Sequence, residues 1–304
     1  MDTRPITPAR LAESVIAVPP LARDAQGKVD AAENTKLMRH IEAGGVDILL
    51  YGGNANFYHL RPSEYRATLG LLAECAGAET LVIPAAGPAY GLMMDQAEIL
   101  REFPFPTAMV LPHVGLQTFA GVETGFRHFV EAYGKPSVLY IKQEGYITPD
   151  GAARLVKDGL ISWIKYAIVQ PDPAQDPFLS ELVQKVDPTL IVSGIGEQPA
   201  MVHLRDFGIN GFTAGCVCVA PAPSQKMLKA IQTKDYAEAE RLRAIFLPLE
   251  GLRNGINPVR VLHEAVAAAG IAETGDILPL LSPLDAAQRT KVAEAAKALL
   301  ALNA

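Results

Sequence analysis

The first residue with chemical consequence is a lysine inside an apolar run. Lys165 sits in Ile161-Ser-Trp-Ile-Lys-Tyr-Ala-Ile-Val169. A charged amine there must be paired, reach solvent from the strand end, or give up its proton. A neutral lysine amine attacks ketones and aldehydes and forms a Schiff base. Tyr140 closes a second apolar run, Pro136-Ser-Val-Leu-Tyr-Ile-Lys142. It is either a core aromatic or a phenol that moves the protons of carbinolamine formation and dehydration. Lys142 lies two residues further on, so on a strand it shares a face with Tyr140. It is either an exposed strand-end lysine or a second cation in a pocket. In the second case it would bind a distal carboxylate or lower the pKa of Lys165.

Two Gly-rich stretches add donors and close backbone approach. In Tyr51-Gly-Gly-Asn-Ala-Asn-Phe-Tyr58, the backbone around Gly53 and the amide of Asn54 offer donors to a carboxylate. A tight turn that uses Gly and Asn for positive φ explains part of the same pattern. Phe57 and Tyr58 would suit a bulky, less polar partner. Leu190-Ile-Val-Ser-Gly-Ile-Gly-Glu197 and Gly211-Phe-Thr-Ala-Gly215 fit either ligand contact or ordinary turns. His113 and Glu197 are polar groups at strand ends that could touch substrate.

These residues need elements to position them. Short apolar runs occur at Ser14–Val18, Val46–Tyr51, Thr80–Ala85, Thr107–Leu111, Ser137–Lys142, Ile161–Val169, Leu190–Ser193 and Gly211–Ala214. Most are continuously apolar, as in parallel strands covered on both faces. Helices are expected between them: Ala31–Ala43 after an Asp30 N-cap, Pro62–Ala76, Thr118–Tyr133, Pro149–Asp158 and Gln198–Phe207, with Gly44, Gly134, Gly159 and Gly208 as stops. Strands alternating with helices predict an α/β fold, a (β/α)8 TIM barrel over residues 1–232. An open doubly wound sheet is the alternative, and no G-x-G-x-x-G follows the first strand to support it. Beyond Thr233 three helices follow without a strand, about Tyr236–Leu249, Pro258–Ala269 and Pro283–Leu300. Residues 233–304 are expected to form a C-terminal helical extension that packs on the barrel or makes a subunit interface.

Composition narrows the partners. The 304 residues are 49% hydrophobic and 20% charged, with a formal net charge of −6. That balance is globular. No block of like charges and no basic, aromatic-interleaved stretch points to nucleic acid or an anionic membrane. Cys75, Cys216 and Cys218 read as reduced thiols of a cytoplasmic protein, with Cys216 and Cys218 as small residues at a buried strand end rather than a redox or metal pair. Neither a signal peptide nor a transmembrane helix is expected.

The ordered set of segments resembles the dihydrodipicolinate synthase and N-acetylneuraminate lyase family of class I aldolases, nearly end to end. The segments are Val18-Pro-Pro-Leu, Gly27-Lys-Val-Asp30, Gly45-Val-Asp-Ile-Leu-Leu-Tyr-Gly52, Leu60-Arg-Pro-Ser-Glu64, Pro136-Ser-Val-Leu-Tyr140, Ile164-Lys-Tyr166, Gly208-Ile-Asn-Gly-Phe212, Asn257-Pro-Val and Leu278-Pro-Leu-Leu-Ser-Pro283. The resemblance implies that Lys165 is the Schiff-base lysine and Tyr140 the proton-shuttling tyrosine. It implies pyruvate or another 2-oxo acid as substrate, no metal or organic cofactor, and a homo-oligomer, commonly a tetramer. The expected substrate-binding set is Gly53, Asn54, Lys142, His113 and Phe212.

Departures from the family matter equally. Its Gly-Thr-Thr-Gly-Glu loop aligns with Gly52-Gly-Asn-Ala-Asn56, so Gly53 cannot relay protons as the first threonine does, while Asn54 can still serve a carboxylate. The interface tyrosine aligns with Val114. The arginine expected shortly after Tyr140 is missing from Ile141-Lys-Gln-Glu-Gly-Tyr146. These changes argue against a true dihydrodipicolinate synthase. The leading expectation is an aldolase or dehydratase acting on a 2-oxo acid. A degenerate member that binds a small oxo acid without turnover, as sensor or scaffold, is the alternative. Metal-dependent aldol chemistry would need converging ligands. The strand-end groups His113, Glu144 and Glu197 are scattered over different strands.

Overall fold

The computed structural model describes residues 1–113 and 115–303. The apolar runs become eight strands: β1 (Ile16–Ala17), β2 (Ile48–Tyr51), β3 (Leu81–Ala86), β4 (Met109–Val110), β5 (Ser137–Ile141), β6 (Ile161–Tyr166), β7 (Ile191–Ser193) and β8 (Thr213–Ala214). Every ladder is parallel, and neighbours follow chain order from β1 to β7, with β8 beside β1. A single parallel bridge between Ser193 and Phe212 joins the remaining edges and brings the barrel to closure. The helices are α1 (Pro8–Glu13), α2 (Ala31–Ala43), α3 (Pro62–Cys75), α4 (Tyr90–Leu100), α5 (Phe119–Tyr133), α6 (Pro149–Lys157), α7 (Pro177–Lys185), α8 (Glu197–Phe207), α9 (Pro221–Gln232), α10 (Tyr236–Gly255), α11 (Pro258–Ala268) and α12 (Ala286–Leu300). The fold is the TIM barrel expected, with helices alternating with strands and a helical C-terminal segment.

Helix limits follow local chemistry. Asp30, Thr118 and Thr148 cap α2, α5 and α6 by accepting a backbone N–H three residues on. Gly134 and Gly208 end α5 and α8 in the left-handed region, with φ of 80° and 69°. Two limits differ from expectation. α10 runs through Pro248 to Gly255 instead of stopping at Leu249, because Pro248 falls on the exposed side where its missing N–H is tolerated. The last helix begins after Asp285 rather than at Pro283, where Asp285 and Gln288 form a capping box. The helix α4, which the apolar pattern did not single out, carries Gln96 on its buried face; its side-chain oxygen accepts the Gly87 N–H at 2.7 Å.

Two buried polar devices orient the elements around the barrel mouth. Asn34, fully buried on α2, accepts the Ala22 N–H at 3.0 Å and donates to the Ala22 carbonyl at 2.9 Å. It pins the chain that leaves β1. On β6, side chains alternate between the barrel interior and the helix layer. Tyr166 faces outward, donates to Asp176 Oδ2 at 2.5 Å and stacks on Phe178 of α7 with centroids 6.0 Å apart. The second Asp176 oxygen caps α7 by accepting the Leu179 N–H. This anchor fixes the rotation of β6 and sends its neighbour Lys165 inward. Beyond the barrel, α10 packs on α8 and α9, and α11 pairs with α12. Among the described residues no helix is long and apolar enough to cross a membrane.

Replacing Asn34 with Ala leaves the buried Ala22 N–H without its partner, while the Ala22 carbonyl keeps only the Asp30 N–H. The expected loss is about 1–3 kcal/mol of stability, read as a lower denaturation midpoint with an unchanged denaturant slope.

Candidate active site

Strand register brings the two chemical residues together. Tyr140 on β5 pairs directly with Lys165 on β6, so their side chains leave adjacent strands at one level. The Lys165 Nζ stands 4.7 Å from the centre of the Tyr140 ring. Both line a cleft of about 410 Å³ at the C-terminal ends of the strands, where barrel proteins place their sites. Lys165 is 6% exposed. Burial, then the positive charges of Lys142 and Arg253, lower its pKa to about 7. A large fraction of the amine is therefore neutral near pH 7. Burial pushes the Tyr140 hydroxyl well above the ordinary phenol value, with a further push from Tyr58. The phenol thus stays protonated and is able to donate a proton.

Three strand-end glycines make room for side chains. A Cβ on Gly194 would lie 2.9 Å from Lys165 Cγ and 2.8 Å from the Tyr166 carbonyl. One on Gly215 would meet the Arg253 guanidinium, 2.7 Å from Cζ. One on Gly196, whose φ is 113°, would collide with Glu250 Oε1. The Gly-rich character of both strand ends, read from sequence as ordinary turns or backbone approach to a ligand, thus has a third cause.

The expected binding residues divide. Gly53, Asn54 and Lys142 line the cleft with Lys165. Asn54 Nδ2 donates to the Val18 carbonyl at 3.1 Å, tying the β2 turn to the end of β1. Lys142 is exposed at its strand end yet lines the cleft; its Nζ lies 5.5 Å from the centre of the Tyr58 ring, and partial desolvation lowers its pKa. Phe212 goes elsewhere: it is fully buried, and its neighbour Thr213 lines the cleft instead. The two-residue alternation of a strand end explains the exchange. His113 lines a different cavity, of about 640 Å³, with Tyr90, Met93 and Phe126. Val114, aligned with the interface tyrosine, lies outside the described residues. Of the loop aromatics, only Tyr58 lines the cleft; Phe57 is buried edge-on against Tyr65, centroids 6.3 Å apart.

Sequence reasoning missed His59, Arg253 and Asn257, which also line the cleft. Arg253 belongs to the last turn of α10, beyond the expected helix end. It stands over a buried cluster. The Glu250 Oε1 accepts the Glu197 N–H at 3.0 Å, and Ser224 donates to Glu197 Oε1 at 3.0 Å. Burial, reinforced by the neighbouring Glu250, drives the Glu197 pKa far up, while that of Glu250 rises less because Arg253 opposes the shift. The Oε2 atoms of both carboxylates are buried and unpartnered. A proton held by Glu197 and shared with Glu250 accounts for both. Glu197, Cys216 and Glu250 also place potential ligand atoms within 4.8 Å of one another. There the Arg253 guanidinium already supplies positive charge. Glu197 is therefore a support beneath the cleft rather than part of its lining.

A (β/α)8 barrel with an inward, neutralisable lysine on β6 and a tyrosine in register on β5 is a barrel-enzyme architecture. Residues 12–299 match the dihydrodipicolinate synthetase family, and the chain belongs to it. A 4-hydroxy-tetrahydrodipicolinate synthase from Stutzerimonas stutzeri (strain A1501) is 25% identical over 269 residues, 84% of this chain and 88% of that protein. The crystal structure of dihydrodipicolinate synthase from Bacillus clausii superposes with a TM-score of 0.84 at 23% identity, covering 95% of this chain and 98% of the other. A prophage protein of the same family from E. coli K12, solved in complex with pyruvate, gives 0.81 at 20% identity over 94% and 98% of the chains.

Of the two cations, Lys142 has the larger effect on the Lys165 pKa. Replacing it with Ala removes a like charge from beside Lys165 and raises the pKa of that amine. A lysine amine forms an imine only when neutral, so were Lys165 a Schiff-base nucleophile, imine formation with pyruvate would climb through pH 7 in the parent protein. In the variant the climb should fall at higher pH. Borohydride trapping rates measured from pH 5 to 9, a range of about two units either side of the Lys165 pKa, read the shift.

Proposed function

We propose that the protein is a class I, Schiff-base lyase that acts on pyruvate or a larger 2-oxo acid. One observation carries the reading: a buried lysine whose pKa is lowered to about 7 faces a protonated tyrosine across adjacent strands, in a cleft open to small molecules. Family membership and the pyruvate complex of a relative point the same way.

The chemistry follows from the groups present. The substrate carboxylate is held at the Gly52–Asn54 turn, where backbone N–H groups and the second Asn54 amide hydrogen serve as donors. The Lys165 amine adds to the C2 carbonyl carbon, and the carbonyl oxygen takes up a proton. Tyr140 is placed to pass that proton and to protonate the departing hydroxyl when the carbinolamine loses water. The resulting iminium draws electrons from C3, so a bond to C3 or C4 can be broken or made, and hydrolysis frees the amine. Tyr58 and His59 are the remaining titratable groups of the β2 loop in the cleft. Burial raises the Tyr58 pKa to about 12, so that phenol also keeps its proton. The absence of an arginine in residues 141–146 and the glycine at position 53 favour a lyase other than dihydrodipicolinate synthase. The same departures suit a binding protein without turnover only if the amine fails to react.

Incubation with pyruvate and borohydride should add one reduced pyruvate to the intact chain, and peptide mapping should place it on Lys165. Lys165→Ala should give no adduct; an adduct in that variant would overturn the nucleophile. Tyr140→Phe should keep the fold and slow adduct formation by about 10²–10⁴. Folded protein that gives no adduct with any 2-oxo acid, yet is stabilised thermally by the same acids, would establish the binding-only alternative.

A further inference from the structure

The ends of β7 and β8 are shaped around an arginine that comes from outside the barrel. The Arg253 side chain is 8% exposed, and it reaches the cleft that holds Lys165. It lies against Gly215, where any side chain would strike its guanidinium. Its described ion pair is loose, Nη1 to Glu250 Oε1 at 3.8 Å, and that oxygen already accepts the Glu197 N–H. A contact with the Cys216 thiol is a weak one. The buried Nε has no hydrogen-bond partner. A guanidinium offers five donors in one plane, arranged to meet a carboxylate in pairs. Glu250 balances charge here but leaves most of those donors unused.

The lining of the cleft shows what would use them. Among its described residues are Lys142, Lys165 and Arg253, and no aspartate or glutamate. Lys165 must be neutral to react, which leaves two cations. The carboxylate next to the oxo group is assigned to the Gly52–Asn54 turn. That turn follows β2, whereas Arg253 lies against Gly215 at the end of β8; β1 stands between the two strands, which are therefore about 10 Å apart. A carboxylate seated on the backbone N–H groups of the turn leaves the guanidinium fork free, and an acid that spans the end of β1 meets both.

We propose that Arg253 anchors a second carboxylate, so that the preferred substrates are 2-oxo diacids whose reacting carbons lie between two fixed acid groups. This rests on the Schiff-base reading of the site. Arg253 is a substrate-binding residue in this proposal and takes no part in proton transfer.

The test compares two five-carbon acids that differ in the distal group, 2-oxoglutarate and 2-oxopentanoate. Borohydride trapping, followed by intact mass, gives a half-saturating concentration for each. The parent protein should saturate with the diacid at a concentration about ten-fold or more lower, the order expected of a charge-assisted contact in a dry site. Arg253→Met should collapse that preference, and Arg253→Lys should keep part of it, with melting temperatures verifying the fold of each. Equal saturation by the two acids in the parent protein overturns the proposal even if the Arg253 variants fail to fold. So does a preference that survives in a folded Arg253→Met. If neither acid is trapped, thermal shift decides. Stabilisation by 2-oxoglutarate but not by 2-oxopentanoate upholds the anchor and removes the Schiff base. Stabilisation by neither removes both.

Discussion

The site turns on one unfavourable burial: the Lys165 amine in a cleft whose described lining offers it no anion. An ammonium in that position would be poorly solvated and repelled by two neighbouring cations, so the proton leaves near pH 7 instead of above 10. Much of the surrounding structure serves to hold this arrangement. The outward Tyr166, locked to Asp176 and Phe178, prevents β6 from rotating to release Lys165 to the helix layer. Gly194 gives its stem a channel between β6 and β7. The β5–β6 register then sets Tyr140 beside the amine, where its phenol is kept protonated by the same dryness that keeps the lysine neutral.

The C-terminal helices complete the cleft as well as cover the barrel. Arg253, Asn254, Asn257 and Pro258, from α10, α11 and the turn between them, line it together with strand-end residues. The helix α10 is fastened by Glu250, which accepts the N–H of the first residue of α8. Two carboxylates so close in a dry place cannot both ionise. Keeping a proton on Glu197 avoids their repulsion, satisfies both orphaned oxygens and leaves Glu250 as the single anion facing Arg253. The cluster thus fixes the height of the arginine above the barrel floor.

The barrel was readable because its signals are local and repeated: continuous apolar runs, caps such as Asp30 and Thr118, and glycine stops. That Lys165 and Tyr140 lie side by side was readable because a lysine in a buried strand is costly and because adjacent strands in a barrel are neighbours. His113 was read as a possible substrate contact from its strand-end position, and Phe212 entered the expected set with the family resemblance. Position along the chain does not tell which of two alternating residues faces inward, or which side of a strand end a loop leads to. Arg253 was invisible for another reason. Its helix was expected to end near Leu249, and nothing in the spacing of residues 250 and 253 reveals that Glu250 meets Gly196 and Arg253 meets Gly215, 54 and 38 residues earlier in the chain. The glycines themselves were noticed, but what they admit is a tertiary property.

The surplus of positive charge has a consequence for the order of events. In the empty cleft, Lys142 and Arg253 help to keep the Lys165 amine unprotonated. Arrival of an anionic substrate offsets those charges, and by itself this would let the amine regain a proton. As the proposed nucleophile, the amine would react best with the carboxylates held away from it and close to the other cations. A distal acid group on Arg253 and a proximal one at the Gly52–Asn54 turn would meet that requirement, because those groups follow β8 and β2 on either side of β1 whereas Lys165 is on β6. In the proposed Schiff-base reaction, the iminium would need a positive charge on nitrogen rather than exclude it, and the same carboxylates would stabilise it. The charges that lower the amine pKa before binding and the anions that neutralise them afterwards then favour successive steps of one reaction.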